Sequence, residues 1–469
     1  MIPMPLRDVA LLADGSVHPV ATGGIVVDGP VVTDSREAGP GSLYVARVGE
    51  HADGHAYVGA ARDRGAVAAL TSRVVAELPC VVVDDVQTAF GRLARGVVDR
   101  ATGLTVVAVT GSSGKTSTKD LLAQVLGTAG ETVAPVNSLN GEIGVPLTAC
   151  RVTPATRFLV AEMGARGVGH LAYLTTIAPP DVAVVLNVGV AHVGEFGSKE
   201  AVAQAKGELV EALRPEGLAV LNADDPEVAK MRSRTQARVV TVGTWADDAD
   251  IRAADVRLDA LGRASFVVEV PDGRAQVDLQ LSGAHHIGNA LAVVATALEC
   301  GLSLDQAATA LSKARPASRW RMEVHERPDG VTVVNDAYNA NPDSMRAALE
   351  ALRSIGRAAQ PRRRTWAVLG EMLELGDLSR SEHERVGGWA SALGVDRLVV
   401  VGQRAQAIAD GAVGSTRGPT EVTVVNDADD AYDLLQAHLR SGDVVLLKSS
   451  RDAGLRWLGD RLVGMEVPE

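Results

Sequence analysis

The sequence predicts an α/β protein of three domains, and three observations carry that reading. From about Thr105, short apolar runs alternate with helical stretches: "TVVAVT", "RFLVAEMG", "DVAVVLNVG" and "GLAVLNADD". Each ends in polar residues or glycine, the pattern of buried parallel strands whose ligands gather at their carboxyl ends. After "ARPASRWRMEV" the alternation resumes with "VTVVND", "RTWAVLGEM", "RLVVVGQ", "EVTVVND" and "DVVLLKSS", which makes a second sheet. The third observation is length. The 469 residues allow roughly two to four domains, each large enough to bury its own core.

Taken in order, the N-terminal stretch mixes β-like runs ("GGIVVDG", "SLYVARV", "CVVVDDV") with a helical segment near Ala56 to Arg64. It is expected to form a domain over 1–101. The central domain, 102–314, contains "SGAHHIGNALAVVATALECG", a helix stopped by Gly301. The last domain, 315–469, alternates like a Rossmann unit but has no Gly-x-Gly-x-x-Gly fingerprint.

Composition narrows the function. A formal charge of −12 argues against a nucleic-acid partner, which wants a basic surface. Phosphate-bearing substrates remain open, because a few local groups hold them. Cys80, Cys150 and Cys300 are far apart and odd in number, which suits a reducing compartment and gives no metal-ligand spacing. The start, "MIPMPLRDVALLADG", has no long apolar core or cleavage pattern. No apolar run approaches the roughly 20 residues that span a bilayer. A soluble, cytoplasmic protein is expected, with no membrane insertion. Lysine occurs only at Lys115, Lys119, Lys199, Lys206, Lys230, Lys313 and Lys448. Codon bias explains the scarcity, and a lysine that survives it more often marks a need for an amine.

The richest motif is "VVAVTGSSGKTSTKD". Val109 occupies the first glycine position of the general phosphate loop, so only a shortened form fits, Thr110-Gly111-Ser112-Ser113-Gly114-Lys115-Thr116, with Ser117 following. Gly111 and Gly114 let the backbone turn its N–H groups inward on phosphate oxygens. A helix starting near Lys115 adds its positive end. Lys115 is placed to contact β/γ-phosphates, and the Thr116 hydroxyl to ligate Mg²⁺. Glu162 ends the strand "RFLVAE", where an acid can hold the same metal. A guanine-reading Asn-Lys-x-Asp is missing, since "NADD" fails at the lysine. The loop alone leaves kinase, motor and ligase open.

Further motifs decide among these. "AEMGARGVGHLAYL", "LNVGVAHVGEFGS" and "AQAKGELVEAL" follow the loop closely, and "DAYNANPDSM" and "VLGEMLELGDLS" come later. Together they resemble the Mur ligase family over nearly the whole chain. The loop by itself is shared with folylpolyglutamate synthetases; "NANPDSM" and "LELGD" are more specific. The resemblance implies three-domain Mur ligase architecture, with a central P-loop ATPase domain and a C-terminal Rossmann-like domain. The first domain would hold the UDP end of the acceptor and the last the incoming amine. It further implies ATP-dependent amide ligation through an acyl phosphate, in peptidoglycan precursor synthesis. The branch it fits best joins D-alanyl-D-alanine to UDP-N-acetylmuramoyl-tripeptide. The branch that adds one amino acid carries Asp-Asn-Pro-Arg, which is absent. A nucleotide-gated scaffold without turnover is the reading from another class.

Residue by residue, the resemblance makes Glu162 and His192 ligands of a second magnesium, and Lys206 a carbamylated lysine beside it. An ammonium would repel Mg²⁺, whereas a carbamate carries negative charge and oxygen ligands. Asn187 would support the same site. Asn289 matches the adenine contact, and Arg319 and Asp336 match positions that reach the nucleotide's phosphates and ribose on domain closure. Asn339, Asn341, Lys448 and Arg451 would face the same cleft, Lys448 meeting the acyl phosphate. Ser35, Arg36 and the turn Asp53-Gly54-His55 match the uridine diphosphate site, and Asn140 an acceptor contact. Gly141, Asn335, Ala337 and Ser449 depart from the family's usual residues. A monomer is expected.

Overall fold

A computed structural model describes residues 1–50, 52–189, 196–413 and 420–466. Its described strands form three large sheets and one small one. The central sheet runs, from one edge, Glu131–Val133, Thr156–Glu162, Thr105–Thr110, Val182–Val185, Leu218–Asn222, Arg238–Gly243 and Ile251–Leu258, all parallel. Arg263–Val270 and Gly273–Ser282 then extend it antiparallel. These β-branched runs are buried on both faces. Val107, Val109, Val184 and Val220 point to one core, and Val106, Ala108, Val185 and Leu221 to another, as the period of two requires.

Chain order reverses at Thr105–Thr110, which lies between Thr156–Glu162 and Val182–Val185. In doubly wound sheets such a switch point opens a crevice at the carboxyl ends of the strands. The phosphate loop, Glu162 and Asn187 all sit at that edge.

The N-terminal sheet orders Ser16–His18, Cys80–Val82, Ala68–Thr71, Leu43–Val45 and Val31–Val32. Alternation again splits it. Tyr44, Ala69 and Cys80 join a small core of their own, whereas Leu43, Val45, Leu70 and Val81 join a core that continues through Phe90 and Leu93 to Leu171 and Leu174 of the central part. The N-terminal part thus has a small core of its own and shares a larger one with the central part. The helix Val86–Arg100 is the wedge that both parts share.

The C-terminal sheet orders Glu323–Glu326, Thr332–Asn335, Val444–Lys448, Thr365–Leu369, Arg397–Val401 and Glu421–Val425, parallel apart from the first strand. Its junction with the central part is hydrogen-bonded. The Gln124 amide takes both N–H and C=O of Arg315, each at 2.9 Å, and Asp120 accepts from Ser318 N at 3.1 Å. No helix among the described residues is long and apolar enough to cross a membrane.

One buried carboxylate pins the centre of the C-terminal sheet. Asp443, 3% exposed, accepts from Arg364 at 2.6 and 2.9 Å, from the Trp366 indole at 3.1 Å and from Arg440 N at 2.9 Å. Removing it strands a guanidinium and an indole N–H. Asp443→Ala is expected to destabilise this part by about 3 kcal/mol, read as a lower urea midpoint for its transition with the central part unchanged.

Candidate active site

The phosphate loop emerges from Thr105–Thr110 and enters the helix Lys115–Leu126. Gly114 has φ +81°, and a Cβ there would lie 2.8 Å from Asn289 Oδ1. Gly111 is needed for space instead, since its Cβ would come within 3.0 Å of the Leu186 side chain. Asn187 braces the loop from the next strand, accepting from Ser113 N at 2.9 Å and donating to Ser113 O at 3.2 Å, while its carbonyl takes Ser112 N at 3.1 Å. Its amide is therefore occupied by the loop and not by a metal site. The failed "NADD" motif also has structural work: Asn222 donates to Leu186 O at 2.8 Å and Asp225 accepts from Val188 N at 2.8 Å.

Beside the loop lies a buried polar cluster. Glu162, 1% exposed, accepts through Oε1 from Asn140 at 2.8 Å, Ser138 at 3.2 Å and Thr116 at 3.3 Å. Its Oε2 is buried without a hydrogen-bond partner among the described residues. An unpartnered carboxylate oxygen beside two hydroxyls is a hard-oxygen donor set of the kind Mg²⁺ takes. Thr116 and Glu162 thus fit a magnesium ion. His192 lies outside the described residues. Asn140 reaches Glu162 instead of opening toward an acceptor. A Cβ at Gly141 would meet nothing within 4 Å, so that departure removes a side chain without serving a tight backbone.

Lys206, on the helix Lys199–Glu211, is 3% exposed, and burial together with the nearby Lys115 charge pushes its ammonium down to about 7. Burial also lowers Lys115, which donates to Gly111 O at 2.7 Å. Ser117 sits half-buried in the first turn of the loop helix, and Thr110 is fully buried beneath the loop.

The C-terminal residues reach the cleft differently from expectation. Arg319 is exposed and pairs with Asp460 at 2.9 Å, away from the loop. Arg321 is the arginine that reaches the loop, donating to Thr116 Oγ1 and Ser138 Oγ at 3.1 Å each, with its guanidinium 4.2 Å from the Tyr338 ring centroid. Both arginines stand in "SRWRMEV", and spacing alone cannot say which faces inward. Backbone conformation decides: Trp320 (φ +57°) and Met322 (φ +51°) are both left-handed, each costing about 1–3 kcal/mol for a residue other than glycine.

Lys448 ends its strand as expected but is buried, and its ammonium goes to Asp336 Oδ2 at 2.6 Å, Asn339 O at 3.0 Å and Asp336 O at 3.3 Å. It ties down the 336–339 loop, and all three of its donors are taken. Asp336 uses its other oxygen on Met322 N at 3.0 Å. Asn341 caps the helix Pro342–Ala358 by accepting from Ser344 N at 2.9 Å, and its amide lies 3.5 Å from Ser112 O, so this helix starts at the rim of the phosphate loop. Asn339 caps locally, accepting from Ala340 N at 2.9 Å. Arg451 is exposed, 5.8 Å from the Tyr338 ring centroid.

In the N-terminal part, Ser35 is buried, and Arg36 forks onto Asp34, holding that carboxyl down at about 2. Asp53 accepts from Arg73 at 2.8 Å and from His55 Nδ1 at 2.6 Å. His55 Nε2 accepts from Ser72 N at 3.0 Å, so the ring carries its proton on Nδ1. Both ring nitrogens are thus used inside the protein, while Tyr57 of this turn and Arg73 beside it stay exposed. Gly54 is required by space, since its Cβ would fall 2.6 Å from Arg47 O. Arg47 then bonds Gln87 at 2.7 Å, and Gln87 bonds Glu142 O at 2.7 Å. That chain runs from the N-terminal turn to the segment holding Asn140.

Known families supply the decisive comparison. The Mur ligase middle domain matches residues 109–297, and the domain described as Mur ligase, glutamate ligase domain matches 320–451. The chain belongs to the Mur ligase family. This Mur ligase is 45% identical to the UDP-N-acetylmuramoyl-tripeptide–D-alanyl-D-alanine ligase of Mycobacterium tuberculosis, over 99% of the chain and 98% of that enzyme. Among solved structures it is similar to MurF from Acinetobacter baumannii (TM-score 0.88, 30% identity, 98% of this chain and 99% of that one). It is also similar to MurF from Thermotoga maritima in complex with ADP (TM-score 0.78, 29% identity, 93% and 98% covered).

Lys206 makes stability pH-dependent. Its folded value, about 7, lies below the usual 10.5, so unfolding takes up protons between them and stability rises with pH across that window. In CO₂-free buffer, Lys206→Met is expected to raise the melting temperature near pH 7, with the gain shrinking steadily toward pH 10.

Proposed function

We propose that this Mur ligase joins D-alanyl-D-alanine to UDP-N-acetylmuramoyl-tripeptide, consuming ATP and releasing ADP and phosphate, in peptidoglycan precursor synthesis. The observation that carries the phosphoryl-transfer half is the phosphate loop set against the buried Glu162–Thr116–Ser138 cluster and entered by Arg321. Likeness to a UDP-N-acetylmuramoyl-tripeptide–D-alanyl-D-alanine ligase along the full chain supports the choice of substrates.

In this reading, 1–101 holds the uridine diphosphate end, 102–314 the nucleotide and 315–469 the amine. Loop N–H groups and Lys115 bind the nucleotide phosphates, and Arg321 steadies negative charge as the γ-phosphoryl moves to the acceptor carboxylate. The amine then displaces phosphate from the acyl phosphate. Holding acyl phosphate and amine together supplies up to roughly 7–11 kcal/mol of the barrier. Asn341 and Arg321 close the C-terminal part over the loop, which keeps water from the acyl phosphate. Thr116 and Glu162 would hold one magnesium, and Glu162 with His192 and a carbamylated Lys206 would hold a second. Bound there, magnesium offsets the phosphate charge. A buried amine lowered to about 7 is largely free base just above neutrality, the form that takes up CO₂. We place the protein in the cytoplasm as a monomer.

The test is ADP release with mass detection, offering UDP-N-acetylmuramoyl-tripeptide with D-alanyl-D-alanine, and in parallel the dipeptide acceptor with diaminopimelate or lysine. A pentapeptide product from the first pair is expected. Turnover only with the single amino acids would move the chain to the neighbouring branch, and ATP binding without any turnover would leave a scaffold. Arg321→Ala is expected to lower kcat by about 100-fold or more, a loss well beyond that of Arg319→Ala.

A further inference from the structure

The arginine at the phosphate site cannot aim itself. It sits between two left-handed residues, Trp320 and Met322, a backbone that persists only where its surroundings over-determine it. Met322 is held by its N–H on Asp336 Oδ1 at 3.0 Å. Trp320 is held by its side chain, with the indole N–H 3.0 Å from each oxygen of Asp460. Asp460 is 1% exposed and lies on the helix Leu455–Leu462, near the far end of the chain. Backbone closes the loop: Tyr338 N donates to Trp320 O at 3.2 Å, and the Tyr338 ring carries the Arg321 guanidinium.

We infer that Trp320 and Asp460 form a positioning joint that aims Arg321 at the Thr116 and Ser138 hydroxyls. This rests on the reading of Arg321 given above. A merely packed aromatic would need neither a left-handed backbone nor a directed indole N–H; phenylalanine would serve. Here the N–H fixes the rotation of the side chain, and with it the direction in which residue 321 leaves the backbone. Asn335 suits the joint, since its amide lies 3.5 Å from Asp460 Oδ1, where an aspartate would set a second carboxylate against the first. Arg319 belongs to the same joint as the partner that balances the Asp460 charge. The C-terminal helix thus controls the phosphate site through an indole, without touching it.

The test is a double-mutant cycle in the full-length enzyme. Trp320→Phe keeps the ring and removes the N–H. It is expected to lower kcat at least tenfold, with KM for ATP shifted less than threefold and the melting temperature nearly unchanged. In an Arg321→Ala background the same change is expected to cost less than twofold, because nothing is left to aim. Asp460→Asn should behave in the same way; if it fails to fold, Trp320→Phe alone carries the test. An equal loss in both backgrounds, or no loss in the wild type, overturns the joint. A harmless Arg321→Ala beside a damaging Trp320→Phe would instead refute the role given to Arg321.

Discussion

A carboxylate buried as deeply as Glu162 needs positive charge close by, and most of this cleft answers that need. One of its oxygens is saturated by Asn140, Ser138 and Thr116, and the other is left without a partner among the described residues. Lys115, on the loop helix, and Arg321, from the C-terminal part, supply that positive charge. Burial, with the Lys115 charge added to it, keeps Lys206 from holding an ordinary ammonium, and its affinity for protons falls. Charge balance at one strand end therefore links the loop, the hydroxyls, the buried amine and the neighbouring part of the chain.

The sheet explains why these groups meet. Parallel strands put all their carboxyl ends on one edge, and the reversal of strand order at Thr105–Thr110 opens that edge into a crevice. Two other parts of the chain then close on it by different means. The N-terminal part shares a hydrophobic core with the central one through the helix Val86–Arg100, so its position is fixed by packing. The C-terminal part is joined through hydrogen bonds, at Gln124–Arg315, Asp120–Ser318 and Arg321–Thr116. Polar contacts of this kind exchange with water at little net cost, whereas a shared core does not. The two junctions therefore differ in kind, one a shared apolar core and the other a set of polar contacts.

Lysine usage shows how far composition reaches. Lys206 and Lys448 are buried and Lys115 half-buried at the cleft, and Lys119 is buried against Asp120 and Pro135 O, whereas Lys199, Lys230 and Lys313 are exposed. Scarcity enriched for amines with a task without identifying the task. Lys448 illustrates the point: it is a loop tether, with Asp336 and Asn339 taking its three donors.

By itself the sequence determined the strand-and-helix alternation, the shortened phosphate loop, the acid at a strand end and the membership of a ligase family. Those features are local, written in periods of two and 3.6 and in short runs whose geometry depends on their own residues. Tertiary structure decided the rest. It alone made the first core continuous with the second, turned Asn140 onto Glu162, used up both nitrogens of His55, and brought Arg321 to the loop hydroxyls while Arg319 paired with Asp460. Most of these depend on partners beyond a local window: Asn140 lies 22 positions from Glu162, and Arg321 lies 205 from Thr116. For the two arginines the deciding quantity is a left-handed backbone held by Asp460 and Asp336. No short window of sequence contains that information, because the strain lies at one place and its support at another.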